Sequence, residues 1–125
     1  MTIEEFIAWL KTLSITGLYA GYIPKDSTKV IGVYARPNTS DARGYKPTYG
    51  IRGLTLLIHW TKGMYETEKA ALSLYKKLNR ACFATTDHNG WIECSGYPVD
   101  VGKDENGVCE WSLDLTLYIK TNPSK

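Results

Sequence analysis

The stretch CEWSLDLTLYIK, residues 109–120, decides the fold. Cys109, Trp111, Leu113, Leu115, Leu117 and Ile119 fall on one side of an extended chain. Glu110, Ser112, Asp114, Thr116, Tyr118 and Lys120 fall on the other. A strict period of two marks a β-strand with one buried face. The apolar side belongs against helices, and the second side must meet water or a polar protein surface. Just upstream, GKDENG at residues 102–107 is rich in residues that tolerate positive φ and reads as a turn. Two more strands are expected before it, around residues 91–95 and 97–101.

Moving towards the N-terminus, residues 51–60 end in the apolar run Leu54-Thr55-Leu56-Leu57-Ile58. Such a run suits a central strand covered on both faces. Residues 65–80 read as a helix with Ala70, Ala71, Leu74, Tyr75 and Leu78 on one side. Glu66 and Glu68 sit in its first turn, and Lys76, Lys77 and Arg80 near its end, which complements the helix dipole. Residues 2–14 read as another helix, with Ile3, Phe6, Ile7, Leu10 and Leu13 on its apolar face. Thr2 and Glu5 have capping-box spacing, and Gly17 is a plausible stop. Residues 18–36 read as a hairpin, two strands around the turn PKDST at 24–28.

Residues 37–50, PNTSDARGYKPTYG, carry neither period. A loop this long in a compact domain is usually functional or disordered. Arg43, Tyr45, Lys46 and Tyr49 are of the types favoured at interface hot spots. A solvated mobile loop is the other reading, and the sequence leaves both open.

The element order is helix, hairpin, long loop, strand, helix, strands. It predicts an α+β fold, an antiparallel or mixed sheet with two main helices packed on one face. With 125 residues and no linker, 1–125 reads as a single domain. The net charge of +2 is too small to argue for nucleic-acid binding. No stretch reaches the roughly 18 apolar residues of a membrane span. Three cysteines, with Glu4 and Glu5 where a leader would be basic, point to a reduced protein made in the cytoplasm.

Chemistry-bearing patterns are scarce. Cys82, His88, Cys94 and Cys109 lack the paired spacing of structural zinc sites. His59 ends the central strand and His88 lies in the polar turn DHNG, neither beside a nucleophile motif. SLYK at residues 73–76 matches SxxK in letters only, mid-helix and without companion motifs. No Gly-rich phosphate loop occurs. The expectation is a non-enzyme with no cofactor, catalytic residue or metal ligand.

Three blocks resemble a known family. They are IGVYARP at 31–37, LTLLIHWTKGMYETEKAALSLYKKL at 54–78 and YPVDVGKDENGVCEWSLDLTLYI at 97–119. Their order and spacing resemble a family of minor capsid proteins from phages of Gram-positive bacteria. That family is similar to the tail terminators of long, flexible-tailed phages. Its Gly-(Lys/Arg)-Asp-Glu-x-Gly turn matches residues 102–107. The resemblance implies a homo-hexameric ring at the head-proximal tail end of the virion, assembled in the host cytoplasm. The ring would stop tail-tube polymerisation and join tail to head. Implied partners are further copies of itself, the tail tube protein and the head–tail connector protein, with DNA only as passing cargo and no membrane. Head completion is the alternative within the phage context. A small ligand-binding or enzymatic domain around His59 and Trp60 is the alternative outside it. A ring subunit needs contact surfaces and a lumen face. Arg43, Tyr45, Lys46 and Tyr49, with Lys103, Asp104 and Glu105 of the turn, are candidates for the contacts. Glu110, Asp114 and Thr116 are candidates for the lumen, where acidic groups would let DNA pass without sticking.

Overall fold

The structure, a computed structural model, describes residues 1–37, 40–41 and 50–122. The long alternating stretch forms one strand, β8 (Cys109–Thr121), and the rest of the sheet is built around it. In chain order the elements before it are α1 (Ile3–Thr12), β1 (Leu18–Ala20), β2 (Val30–Ala35), β3 (Ser40–Asp41), β4 (Gly50–His59), α2 (Met64–Leu78), β5 (Cys82–Ala84), β6 (His88–Cys94) and β7 (Val99–Lys103). The sheet order is β1-β2-β4-β8-β6-β5; β3 pairs with β4, and β7 pairs with β8 beyond the end of β6. The fold is α+β, two helices with a mixed, curled sheet that dominates the molecule.

The alternation of β8 reappears as burial. Leu113, Leu115 and Leu117 are shut away, and Asp114 is exposed. Across the β4–β8 ladder, Leu54 faces Leu115 and Leu56 faces Leu113. One apolar cluster joins these to Phe6 and Leu10 of α1, to Ala71, Leu74 and Leu78 of α2, and to Val33 and Ile92. Each large side chain so buried stabilises the fold by about 1.5–3 kcal/mol. Trp9 of α1 meets Phe83 of β5 edge-on at 5.9 Å, while α1 also packs on β1 and β2. The sheet therefore curls so that its two ends approach the same helix.

Several expectations are corrected. Residues 18–36 are not a hairpin: β1 pairs with β2 in parallel, Leu18 beside Ile31. The connection bends more than once, with Gly21, Asp26 and Lys29 all at positive φ and the Ser27 hydroxyl donating to the Pro24 carbonyl. Turn chemistry marks a bend but not how many bends add up to a crossover. Gly17 does not stop α1. The helix ends at Thr12 with Leu13 as its C-cap, followed by Ser14 in the left-handed region. Gly17 instead, at φ +71°, lets the backbone pass residue 29, where an added Cβ would lie 2.6 Å from the Lys29 carbonyl oxygen.

Thr2 caps α1 through the Glu5 amide, as expected, but the Glu5 carboxylate does not complete the box. It reaches away to His88 and Thr85. His88 is not in a turn but opens β6, and β5 had no period long enough to predict it. The run in β4 is fully covered on one face only. Leu54, Leu56 and Ile58 are buried, whereas Thr55 and Leu57 are half-buried. Within the long loop, Ser40–Asp41 pairs with the start of β4.

Candidate interaction faces

Glu110, Asp114 and Thr116 lie on the face of β8 turned away from the Leu113–Leu115–Leu117 core. Their acidic character is largely answered within the chain. Arg36 follows β2, and its backbone amide donates to the Gly53 carbonyl at 3.0 Å. Its side chain then crosses Gly53 towards β8. Nη2 donates to the Leu115 carbonyl at 2.9 Å and to the Thr116 hydroxyl at 3.2 Å, and Nη1 stands 3.7 Å from Asp114. Asp114 also accepts from the Thr55 hydroxyl at 2.7 Å. Trp91 stacks on Tyr118 at 4.9 Å further along β8. The face is a bonded mosaic of polar and aromatic groups, with the Arg36 guanidinium set beside Asp114. Sequence reading missed Arg36. The available signal was Gly53, a glycine inside an apolar strand, which marks close approach by another group.

Glu110 faces His59, its partner in the β4–β8 register. His59 is buried, with Nδ1 3.0 Å from the Glu110 carboxylate and Nε2 2.9 Å from the Ser27 carbonyl. A carbonyl can only accept, so Nε2 carries a proton. Asp104 approaches the same nitrogen at 3.6 Å. Its Oδ1 also accepts from the amides of Asn106 and Val108, at 2.9 Å each, and so shapes the turn between β7 and β8. Lys103, expected in the turn, instead ends β7 and is exposed there; of the turn itself, Glu105 is exposed, while Asp104 is half-buried and structurally engaged. A cavity of about 410 Å³ opens beside this cluster, lined by Pro24, Ser27, His59, Asp104, Asn106 and Glu110. Both His59 nitrogens are held by partners within the chain, so the imidazole offers the cavity no free base. The contact candidates Arg43, Tyr45, Lys46 and Tyr49 lie outside the described residues.

The second histidine is likewise engaged. His88 Nδ1 is 2.7 Å from Glu5. Burial raises the Glu5 pKa, but the hydrogen bonds from Thr85 and His88, with the nearby positive charges of His88 and the N-terminus, outweigh it and hold the carboxyl below its usual range. Cys82 is exposed, Cys94 half-buried and Cys109 buried. Burial pushes the Cys94 thiol up to about 11. Among the described residues, no three His, Cys, Asp or Glu side chains are grouped to hold a metal ion.

The chain is a small α+β protein in which both histidines are engaged by carboxylates of the chain, beside broad faces and open sheet edges. The match to a family model gives this class its setting: over residues 7–121 the chain fits the bacteriophage tail terminator protein. The chain belongs to that family, and it is a structural component of a phage tail and hence of the virion. Comparison with curated proteins finds none that matches.

Proposed function

We propose that the protein forms a homo-hexameric ring at the head-proximal end of the tail, ends tail-tube polymerisation there and joins tail to head. The family match over residues 7–121 is the observation that carries this reading. Assembly takes place in the host cytoplasm, with the tail tube protein on one side of the ring and the head–tail connector protein on the other. DNA is passing cargo.

In this reading both helices pack on one face of the sheet, and the opposite face, with Glu110, Asp114 and Thr116, turns to the lumen. Asp114, exposed on that face, supports the assignment. Arg36 beside it keeps the charge moderate, so the wall repels DNA weakly and does not hold it. Lys103, exposed at the end of β7, and Glu105, exposed on the turn that follows, are contact candidates together with Asp104 and with Arg43, Tyr45, Lys46 and Tyr49. Charge reversal at Lys103 and Glu105 is expected to weaken assembly; unchanged assembly would remove the turn from the contact.

Polymerisation of the purified tail tube protein tests the termination step. Added chain is expected to cap the tubes and shorten them in proportion to its concentration. Tube lengths indifferent to the chain would contradict the proposal.

A further inference from the structure

Two open edges of the sheet, at β1 and at β7, differ in kind. Among the described residues, the outer edge of β1 and the outer edge of β7 pair with no strand. Of the other terminal strands, β3 is two residues long, and β5 is tied to α1 by the contact of Phe83 with Trp9 and by the bond from Thr85, just beyond it, to Glu5. Unpaired strand edges present rows of free amide and carbonyl groups, which proteins ordinarily blunt with charges or cover. β7 is exposed along its whole length and is only partly blunted. Its bulge, at Val101, and its lysine, Lys103, lie in its second half and leave the approach from Tyr97 through Asp100 open.

Apolar exposure concentrates at these edges. Among the described residues the large exposed apolar side chains are Tyr22, Met64, Tyr65, Tyr97, Val99 and Val101. Three of the six belong to β7 and its approach. Tyr22 lies just past β1, stacked edge-on with Tyr19 of that strand at 5.3 Å. Exposed apolar surface rimmed by polar residues marks an interaction site.

Strand direction says how the two edges fit. β1 runs parallel to β2, β2 antiparallel to β4, β4 antiparallel to β8, and β8 antiparallel to β7. β1 and β7 therefore run in opposite directions. A neighbouring copy related by rotation about an axis that runs along the strands brings its β1 antiparallel to the first copy's β7, which is the stronger pairing mode. We infer that β7 of one copy pairs with β1 of the next, adding a strand across the subunit boundary, with Val99, Val101 and Tyr97 packing near Tyr19 and Tyr22. Two unlike edges make a head-to-tail contact, the kind that closes a ring. The inference rests on the ring reading above for its biological setting, and names the surface that builds the ring.

Cross-linking tests it. Two variants are made in a Cys82→Ser background, Ala20→Cys and Val99→Cys, both at exposed positions. They are treated with a short bis-maleimide, separately and mixed, so that the result does not hinge on register. The expected result is a cross-linked pair in the mixture and none in either variant alone. A product in the Val99→Cys sample alone would mean β7 meets β7, and no product in any sample would mean the edges do not pair; either overturns the inference. Amide exchange of the unmodified chain gives a second readout, with slower exchange expected in β1 and β7 as concentration rises, and concentration-independent exchange counting against it. Tail length is unaffected by these outcomes, so the terminator reading and this contact can fail separately.

Discussion

Arg36 lies across Gly53 so closely that a Cβ at residue 53 would come within 2.7 Å of the guanidinium Nε. The two residues are one device: the glycine leaves the gap, and the arginine fills it to reach the Leu115 carbonyl. Arg36→Ala and Gly53→Ala should each lower stability. A loss of roughly 1–2 kcal/mol is expected for the first, set by a charge-assisted hydrogen bond. Because both remove the same contact, the double variant should lose less than the sum of the two. Urea unfolding of all four proteins measures this, and full additivity would mean the contact is not shared.

Gly90 stands opposite Ile119, and a Cβ there would fall 1.8 Å from the Tyr118 carbonyl oxygen. Backbone cannot swing away as a side chain can. Gly90→Ala is expected to cost about 1–3 kcal/mol or more, as overpacking does. Leu115→Ala, on the buried face of the neighbouring strand, is expected to cost about 2–5 kcal/mol. Thermal unfolding followed by circular dichroism checks both.

Glu5 joins α1 to the turn before β6, and its bonds to Thr85 and His88 depress its pKa below 4.5. A carboxyl lowered by folding stabilises the native state above its unfolded pKa, and that stability is lost as pH falls through the folded value. The stability gap between the native sequence and Glu5→Gln should therefore be full near neutral pH and shrink below pH 4.5. A gap that is constant down to strongly acid pH would show that the charge of Glu5 contributes nothing.

With its pKa raised to about 11, Cys94 stays a thiol at neutral pH. Only the thiolate alkylates, so exposed Cys82 should take up iodoacetamide first, and Cys94 should label on unfolding. Mass spectrometry of a labelling time course reads the order directly. Equal rates at the two cysteines would contradict the burial of Cys94.

The face pattern of β8 was legible because a period of two over a long strand has no competing interpretation. The helices were legible from their apolar faces, although Gly17 and Glu5 were read as local signals and serve distant contacts instead. The parallel pairing of β1 with β2 was not legible, because the residues of a turn do not record the net direction of a connection with several bends. The engagement of Glu110 by His59 was hidden for a related reason. The two are 51 residues apart, and only the β4–β8 register brings them face to face. Arg36 was hidden until its strand was aligned beside Gly53. The family resemblance came from blocks at 31–37, 54–78 and 97–119, all inside the matched span.

Tail length in phage lysates made with and without this protein tests the central claim most directly. Electron microscopy of a lysate lacking it should show overlong, headless tails, with normal length restored when the protein is supplied. Headless tails of normal length would move the protein from termination to the head–tail connection. Intact infectious particles would contradict the account altogether.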